Sequence, residues 1–227
     1  MIYLVSFAPV FVYSLLIYWL VSPASDRRHI NLFFCVLMGF FSALVALAIE
    51  YLWNLFLGDF IASHRSLIFF ESFVGVGAIE EAAKWVWLVF IINSWRSFTR
   101  YSDGILYACG IAAGFNLVEA SLYIITDGTL MSSIIRSFSA VPVHFLFAIL
   151  MGFFWSRYTL EQPKFFWISL LIPVLLHGLY DFFILQQYTE LLIGGAILVF
   201  IGSLSLSIWV CRSAMRADRV RQIGDVI

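Results

Sequence analysis

Residues 30–57 read INLFFCVLMGFFSALVALAIEYLWNLFL, an apolar run of 28 residues. It contains one charged side chain, Glu50. A helix needs about 20 mostly apolar residues to cross a bilayer, and this run exceeds that length. The run therefore predicts a transmembrane helix that tilts, or that begins in the membrane interface.

The composition of the whole chain supports the same conclusion. Of its 227 residues, 63% are hydrophobic and 12% are charged, whereas a soluble domain has about 45–50% apolar and about 25% charged residues. This composition excludes a disordered chain, a coiled coil and an ordinary soluble enzyme. The net charge of −1 indicates no general affinity for nucleic acid. We expect one integral membrane domain, residues 1–227, with the lipid bilayer as its main solvent.

Seven apolar runs are long enough to span a membrane, which predicts an all-α polytopic helix bundle. They are residues 3–21, 30–57, 67–92, 104–126, 130–155, 166–185 and 191–211.

Loop charges predict the orientation of this bundle. Basic residues follow the first, third, fifth and seventh spans, and the tail that begins at Arg212 is rich in arginine. On the other side, Arg65 is the one clear loop cation. The positive-inside rule then places the N-terminus outside and the C-terminus in the cytoplasm. We expect the basic tail to be a solvated anchor rather than a short amphipathic surface helix.

Ionisable side chains inside the predicted spans are the most informative residues, because each costs about 2.5–3.5 kcal/mol at the centre of a bilayer. Counting along the helices puts them at comparable depths, in the middle and outer parts of the membrane. Four helices that converge at one level predict a single water-filled polar site. The polar residues are Glu80, Glu81 and Lys84 in the third span, Asn116 and Glu119 in the fourth, Arg136 and His144 in the fifth, and His177 and Asp181 in the sixth.

Helical spacing predicts two local pairs. Glu80 and Lys84 are four residues apart and Glu81 is one step round the helix, so Lys84 can reach one glutamate closely while the other points into a cavity. His177 and Asp181 are also four apart, so Asp181 can orient the imidazole.

Three further polar residues lie beside these two pairs or nearer the span ends. Asn116 shares a helical face with Glu119. Arg136 is expected either to extend to the outer surface or to pair with a carboxylate. Glu50 lies closer to a span end, where water is near.

Residues of these types can activate water for hydrolysis, and the sequence leaves two mechanisms open. A glutamate can act as general base while a histidine stabilises the oxyanion. Alternatively, Glu81, His144 and His177 can hold a zinc ion with water as fourth ligand, although the chain contains no HExxH motif.

Two classes without enzymatic activity compete with this interpretation. Intramembrane Glu, His and Lys also form pathways in proton- or ion-coupled transporters, but no inverted repeat is evident here. The same cluster would also suit a protein in which polar residues only fix helix packing.

Four motifs resemble the PrsW family of bacterial intramembrane proteases, which is related to the CAAX prenyl endopeptidases and the abortive-infection (ABI) proteins. The resemblance covers residues 67–185, the expected catalytic core. The motifs are Glu80-Glu81-x-x-Lys84, Gly114-Phe115-x-x-x-Glu119, His144-x-x-Phe147 and His177-x-x-x-Asp181.

The resemblance implies peptide-bond hydrolysis in the bacterial cytoplasmic membrane, with a single-pass membrane protein such as an anti-sigma factor as substrate. By motif position, Glu80 and Glu81 would activate water, and Glu119, His144 and His177 would complete the site. The chain departs from the family pattern directly after Glu119, where it has Ala120 and relatives often have Asn.

Overall fold

The computed structural model describes the backbone of residues 1–21, 28–62, 67–94, 98–126, 128–186 and 190–224. All regular structure in these ranges is helical, which confirms the predicted all-α membrane bundle. The elements are α1 (Ile2–Val21), α2 (Arg28–Ala62), α3 (Ile68–Phe70), a π-helical segment (Glu71–Ala78), α4 (Ile79–Ser94), α5 (Tyr101–Thr126), α6 (Leu130–Phe138), α7 (Ala140–Leu160), α8 (Phe165–Leu185) and α9 (Glu190–Gly224).

Six helical stretches in the described part of the chain are long and apolar enough to cross a membrane. The third predicted span is not one of them, because the π-helical segment divides it and leaves α4 with 16 residues. The number of crossings and their orientation therefore stay predictions. Large apolar side chains such as Trp19, Phe56 and Ile125 are mostly exposed, as expected of a surface that faces lipid. The six stretches are Ile2–Val21, Asn31–Gly58, Tyr101–Thr126, Leu130–Leu160, Phe165–Leu185 and Gly194–Arg221.

Helices α5 and α7 form the centre of the bundle and are buried along most of their lengths. They approach closely because Gly104 of α5 faces Gly152 of α7, where an added Cβ on either residue would collide with the backbone of the other. Gly39 of α2 and Gly114 of α5 allow a similar approach between those two helices. Small residues at helix interfaces are the usual means of close packing within membranes.

The fifth predicted span is two helices rather than one. Helix α6 ends at Phe138, Ser139 lies in a turn, and α7 begins at Ala140. Pro142 explains the break, because proline has no N–H to donate and its ring clashes with the carbonyl four residues earlier. Proline is tolerated in the first turn of α7, so the helix restarts just before it.

The basic tail continues α9 as a helix that packs onto the bundle along one face, whereas Arg212, Arg216, Arg219 and Arg221 are exposed. Val210, Ala214 and Asp218 recur every fourth residue and form a buried face. The Asp218 carboxylate accepts hydrogen bonds from the backbone N–H groups of Tyr101 (2.8 Å) and Ser102 (3.0 Å). These are the first residues of α5, so α9 caps the N-terminus of the central helix.

Removing this cap should loosen the predicted cytoplasmic end of the bundle. We expect Asp218→Ala to lower the free energy of unfolding by about 1–2 kcal/mol, because two buried N–H groups lose their acceptor. Thermal unfolding of the purified protein in detergent measures the change, with exposed Arg219→Ala as the matched control. Equal unfolding temperatures for Asp218→Ala and the parent would contradict the capping role.

Candidate functional site

Four helical residues that lie far apart in sequence meet at one point of the bundle. Glu80 and Glu81 come from α4, His144 from α7 and His177 from α8, and all four are buried. Each offers one nitrogen or oxygen atom, and these four atoms lie within 4.8 Å of one another. The structure therefore brings together the glutamates and histidines that the sequence placed on separate helices.

A close contact between the π-helical segment and α8 makes this convergence possible. An added Cβ on Gly77 would lie 2.9 Å from the backbone nitrogen of Gly178 in α8. Because neither residue has a side chain, α8 approaches the start of α4 and His177 reaches the Glu81 carboxylate. Departures from α-helical geometry such as this π segment occur frequently at functional sites.

Lys84 lies at the centre of the cluster. Its Nζ atom is 2.8 Å from Glu81 Oε1, 3.2 Å from Glu80 Oε2 and 3.1 Å from His144 Nδ1. The contact with Glu81 is the closer one, and Lys84 also reaches Glu80, because residues three and four positions away on a helix are both neighbours. The ammonium also lies 4.0 Å from the centre of the Phe115 ring.

The contacts of His144 fix which of its nitrogens carries hydrogen. The Lys84 ammonium can only donate, so His144 Nδ1 accepts, and Nε2–H donates to Glu119 Oε2 at 2.9 Å. Glu119 thus orients the ring and leaves the Nδ1 lone pair directed towards the cluster.

His177 is held by carboxylates on both sides of its ring. Nδ1 lies 2.8 Å from Glu81 Oε1, and Nε2 lies 3.3 Å from Asp181 Oδ2. The Asp181 contact is the one that the spacing of four residues predicts. His177 Nε2 is also 4.0 Å from Glu80 Oε2, so the imidazole lies between the two glutamates.

Arg136 pairs with a carboxylate, which decides between the two roles open to it from sequence. Its Nη2 atom donates to Glu119 Oε1 at 2.6 Å, and the guanidinium stacks 3.4 Å from the centre of the Tyr123 ring. Glu119 therefore joins Arg136 to His144, and its negative charge has a partner on each side.

A cavity of about 520 Å³ opens next to the cluster. Among the described residues, its wall includes Glu80, whereas Glu81 and Lys84 lie behind the wall. The two adjacent glutamates are therefore not equivalent: Glu80 faces the cavity, and Glu81 is fully buried between Lys84 and His177. The polar part of the wall consists of Glu50, Glu80, Glu119, Tyr123, Thr126, Arg136, Ser139, His144, His177, Tyr180 and Asp181.

Asn116 is the one predicted supporting residue that the structure leaves out of the cluster. It is 1% exposed, and neither polar atom of its side chain has a hydrogen-bond partner in the described part of the protein. It lines a separate space of about 10 Å³ together with Ser6, Glu119 and Arg136. Such a space holds about one water molecule, so Asn116 is placed to meet a buried water.

Sequence reasoning missed Glu50, which lies on the cavity wall rather than at a watery span end. A signal was present in the sequence. Ala43, Ala46, Leu47 and Glu50 recur at intervals of three and four residues and form one helical face with two small residues. All four line the cavity.

The donor set fits a metal ion. Two imidazoles and two carboxylates are suitable zinc ligands, and Glu81 Oε2 is a buried oxygen with no hydrogen-bond partner among the described residues. Each histidine also has a carboxylate on its outer nitrogen, Glu119 on His144 and Asp181 on His177. Carboxylates in this position orient metal-ligating histidines in many proteins. The fit agrees with the ligand set predicted from sequence, Glu81, His144 and His177, and places Glu80 beside it on the cavity wall.

A membrane bundle that buries carboxylates and imidazoles beside an internal cavity has the architecture of an intramembrane hydrolase. A family profile described as PrsW family intramembrane metalloprotease matches residues 28–207. The chain therefore belongs to the PrsW family. It is an integral membrane protein, and in bacteria such a protein lies in the cytoplasmic membrane.

Curated relatives agree with this assignment. The chain is 32% identical over 168 residues to Protease PrsW of Clostridioides difficile (strain 630), which covers 70% of this chain and 68% of that protein. It is 36% identical over 118 residues to Protease PrsW of Oceanobacillus iheyensis, which covers 51% of this chain and 54% of that protein. It is 35% identical over 118 residues to Protease PrsW of Bacillus subtilis (strain 168), which covers 50% of this chain and 54% of that protein. The chain thus spans about half the length of these last two relatives. No solved structure gives a significant match.

Loss of the Lys84 ammonium should damage the cluster as a whole. We expect Lys84→Met to lower the free energy of unfolding by about 3–5 kcal/mol, because the buried carboxylates of Glu80 and Glu81 lose their shared cation. Unfolding in detergent measures the loss. The matched control is Lys164→Met, which changes an exposed loop lysine. A Lys84→Met protein as stable as the parent would refute the central ion pair.

Proposed function

We propose that this protein hydrolyses a peptide bond in or near the transmembrane segment of a single-pass membrane protein. The observation that supports the proposal is the placement of Glu80, His144 and His177 together on the wall of a cavity inside a membrane bundle. Family membership gives the reaction class, and the geometry suggests how the residues divide the work.

Water supply is the first requirement for hydrolysis within a membrane. Hydrocarbon provides no water, so hydrolysis there needs a space lined by polar groups. The cavity of about 520 Å³ is large enough for several waters beside Glu80.

Glu80 is the proposed general base. Its carboxylate reaches the cavity, where it can accept a proton from the attacking water. Glu81 has a different task, because it is 0% exposed and already accepts from Lys84 and contacts His177. We assign Glu81 to positioning both of these groups.

Glu81, through its unpartnered Oε2 atom, and the two histidines would hold a zinc ion, with water as fourth ligand beside Glu80. A bound zinc ion would polarise the scissile carbonyl and favour ionisation of water at neutral pH. Glu119 and Asp181 would keep each imidazole in the orientation that ligation needs.

The cavity also restricts the form of the substrate. Its apolar wall, which includes Leu47, Val76 and Val143, suits the side chains of a membrane segment. An intact α-helix is about 10–12 Å wide and keeps its carbonyls in hydrogen bonds, so the substrate must unwind locally to present one peptide bond. By resemblance to the family, we propose a substrate of the anti-sigma-factor kind. On the predicted orientation, cleavage occurs near the outer half of its span or just outside it.

Loss of the general base should stop cleavage while the fold remains. We expect Glu80→Gln to lower kcat/KM by about 10²–10⁴-fold, because Gln keeps the shape of Glu but cannot take up the proton. Glu81→Gln, His144→Ala and His177→Ala should also abolish cleavage. The measurement uses purified protein in lipid with single-pass substrates and mass spectrometry of the products. Glu71→Gln is the matched control, because Glu71 binds Trp53 outside the cavity.

Two results would count against the mechanism. Full cleavage by a protein with Gln at both Glu80 and Glu81 would remove the glutamate base. A folded protein that cuts no membrane peptide but moves protons or ions across liposomes would instead support a transporter.

Metal content gives a separate test of the donor set. We expect about one zinc ion per chain in the purified protein, lost to a chelator together with activity and restored by added zinc. His144→Ala and His177→Ala should lower the zinc content itself, while exposed Glu161→Gln should not. Undiminished cleavage by a protein without zinc would refute the metal assignment but leave Glu80 as the base.

A further inference from the structure

Glu50 is a carboxylate on the cavity wall that the proposed mechanism does not use. Its Oε1 atom is buried and has no hydrogen-bond partner among the described residues, and no ion pair to it is found there. A carboxylate charge within the membrane is unfavourable unless a donor or a cation compensates it. The missing partner is therefore expected to come from a bound molecule.

The other carboxylates around the cavity differ from Glu50 in this respect. Glu80 and Glu81 share Lys84, Glu119 pairs with Arg136, and Asp181 contacts His177; these partners lie within 3.3 Å. Glu50 is thus the acidic group of the wall whose charge is left for a ligand.

Arg136 does not neutralise Glu50, although both line the cavity. The guanidinium is engaged by Glu119 at 2.6 Å and by the ring of Tyr123. A cationic group that enters the cavity would therefore find Glu50 available.

We propose that Glu50 forms a specificity subsite for a lysine or arginine side chain of the substrate near the cleaved bond. The inference rests on the proposed proteolysis, because the occupant is part of the peptide being cut. The neighbouring wall residues Ala43, Ala46 and Leu47 would contact the aliphatic stem of that side chain, and Glu50 would contact its charged end. A substrate lysine or arginine next to the apolar span, held in this way by Glu50, would place the neighbouring scissile bond against Glu80.

The test compares substrates that differ at one position. Single-pass substrates carry Lys, Gln or Glu in turn at each of a few positions on either side of the cleaved bond. The purified protein in lipid vesicles cuts each of them, and kcat/KM is measured for each. The variants are Glu50→Gln and Glu50→Lys. Glu71→Gln again serves as control, because this nearby carboxylate lies outside the described cavity wall.

We expect one position at which the parent cuts the Lys substrate about tenfold better than the Gln substrate. Glu50→Gln should remove this preference while still cutting the Gln substrate at the parental rate. Glu50→Lys should instead favour Glu at that position, and Glu71→Gln should keep the parental preference.

Three outcomes would overturn the subsite. These are no charge preference in the parent, the same preference in Glu50→Gln, or an equal loss by Glu50→Gln on all substrates, which would make Glu50 part of the catalytic machinery. Failure of the parent to cut any substrate would remove the proposed function and the subsite with it. The first three outcomes leave cleavage by the parent intact, so the two failures are distinguishable.

Discussion

The polar site is organised around Lys84, which is buried between two glutamates. An ammonium and two carboxylates inside a bilayer are tolerable only when each is paired and hydrogen-bonded. This demand extends outward through the neighbouring helices, because each added charged or polar group needs its own partner. The resulting series of contacts runs Arg136–Glu119–His144–Lys84–Glu81–His177–Asp181.

This series divides the polar site into a structural side and a reactive side. Glu81 and Lys84 lie behind the cavity wall and hold their neighbours in place, while Glu80 faces the space where water and substrate would enter. A rigid arrangement of this kind suits catalysis, because groups that are already oriented need no rearrangement in the transition state. Glu50 lies outside the series, which is why a substrate cation is its most suitable partner.

The surrounding bundle supports the site through close helix contacts. Paired glycines bring α5 against α2 and α7, and Gly77 with Gly178 brings α8 against the start of α4. At the N-terminus of α5, Asp218 of α9 caps the first turn and connects the C-terminal helix to the central one. The central helix is thus held by packing along its length and by hydrogen bonds at its N-terminus.

The membrane class, most helix positions and the polar residues of the site can be predicted from the sequence, because long apolar runs and the charges inside them are visible without a structure. Even the contact of Asp181 with His177 follows from spacing within one helix. Three other features became clear only when the helices were packed: Arg136 pairs with Glu119, Glu80 rather than Glu81 faces the cavity, and Glu50 lines it. These facts depend on which faces of different helices meet, and a helical period carries no information about a partner on another helix. The π-helical segment and the break before Pro142 also interrupt the regular count, so positions beyond them follow from packing rather than from the 3.6-residue repeat.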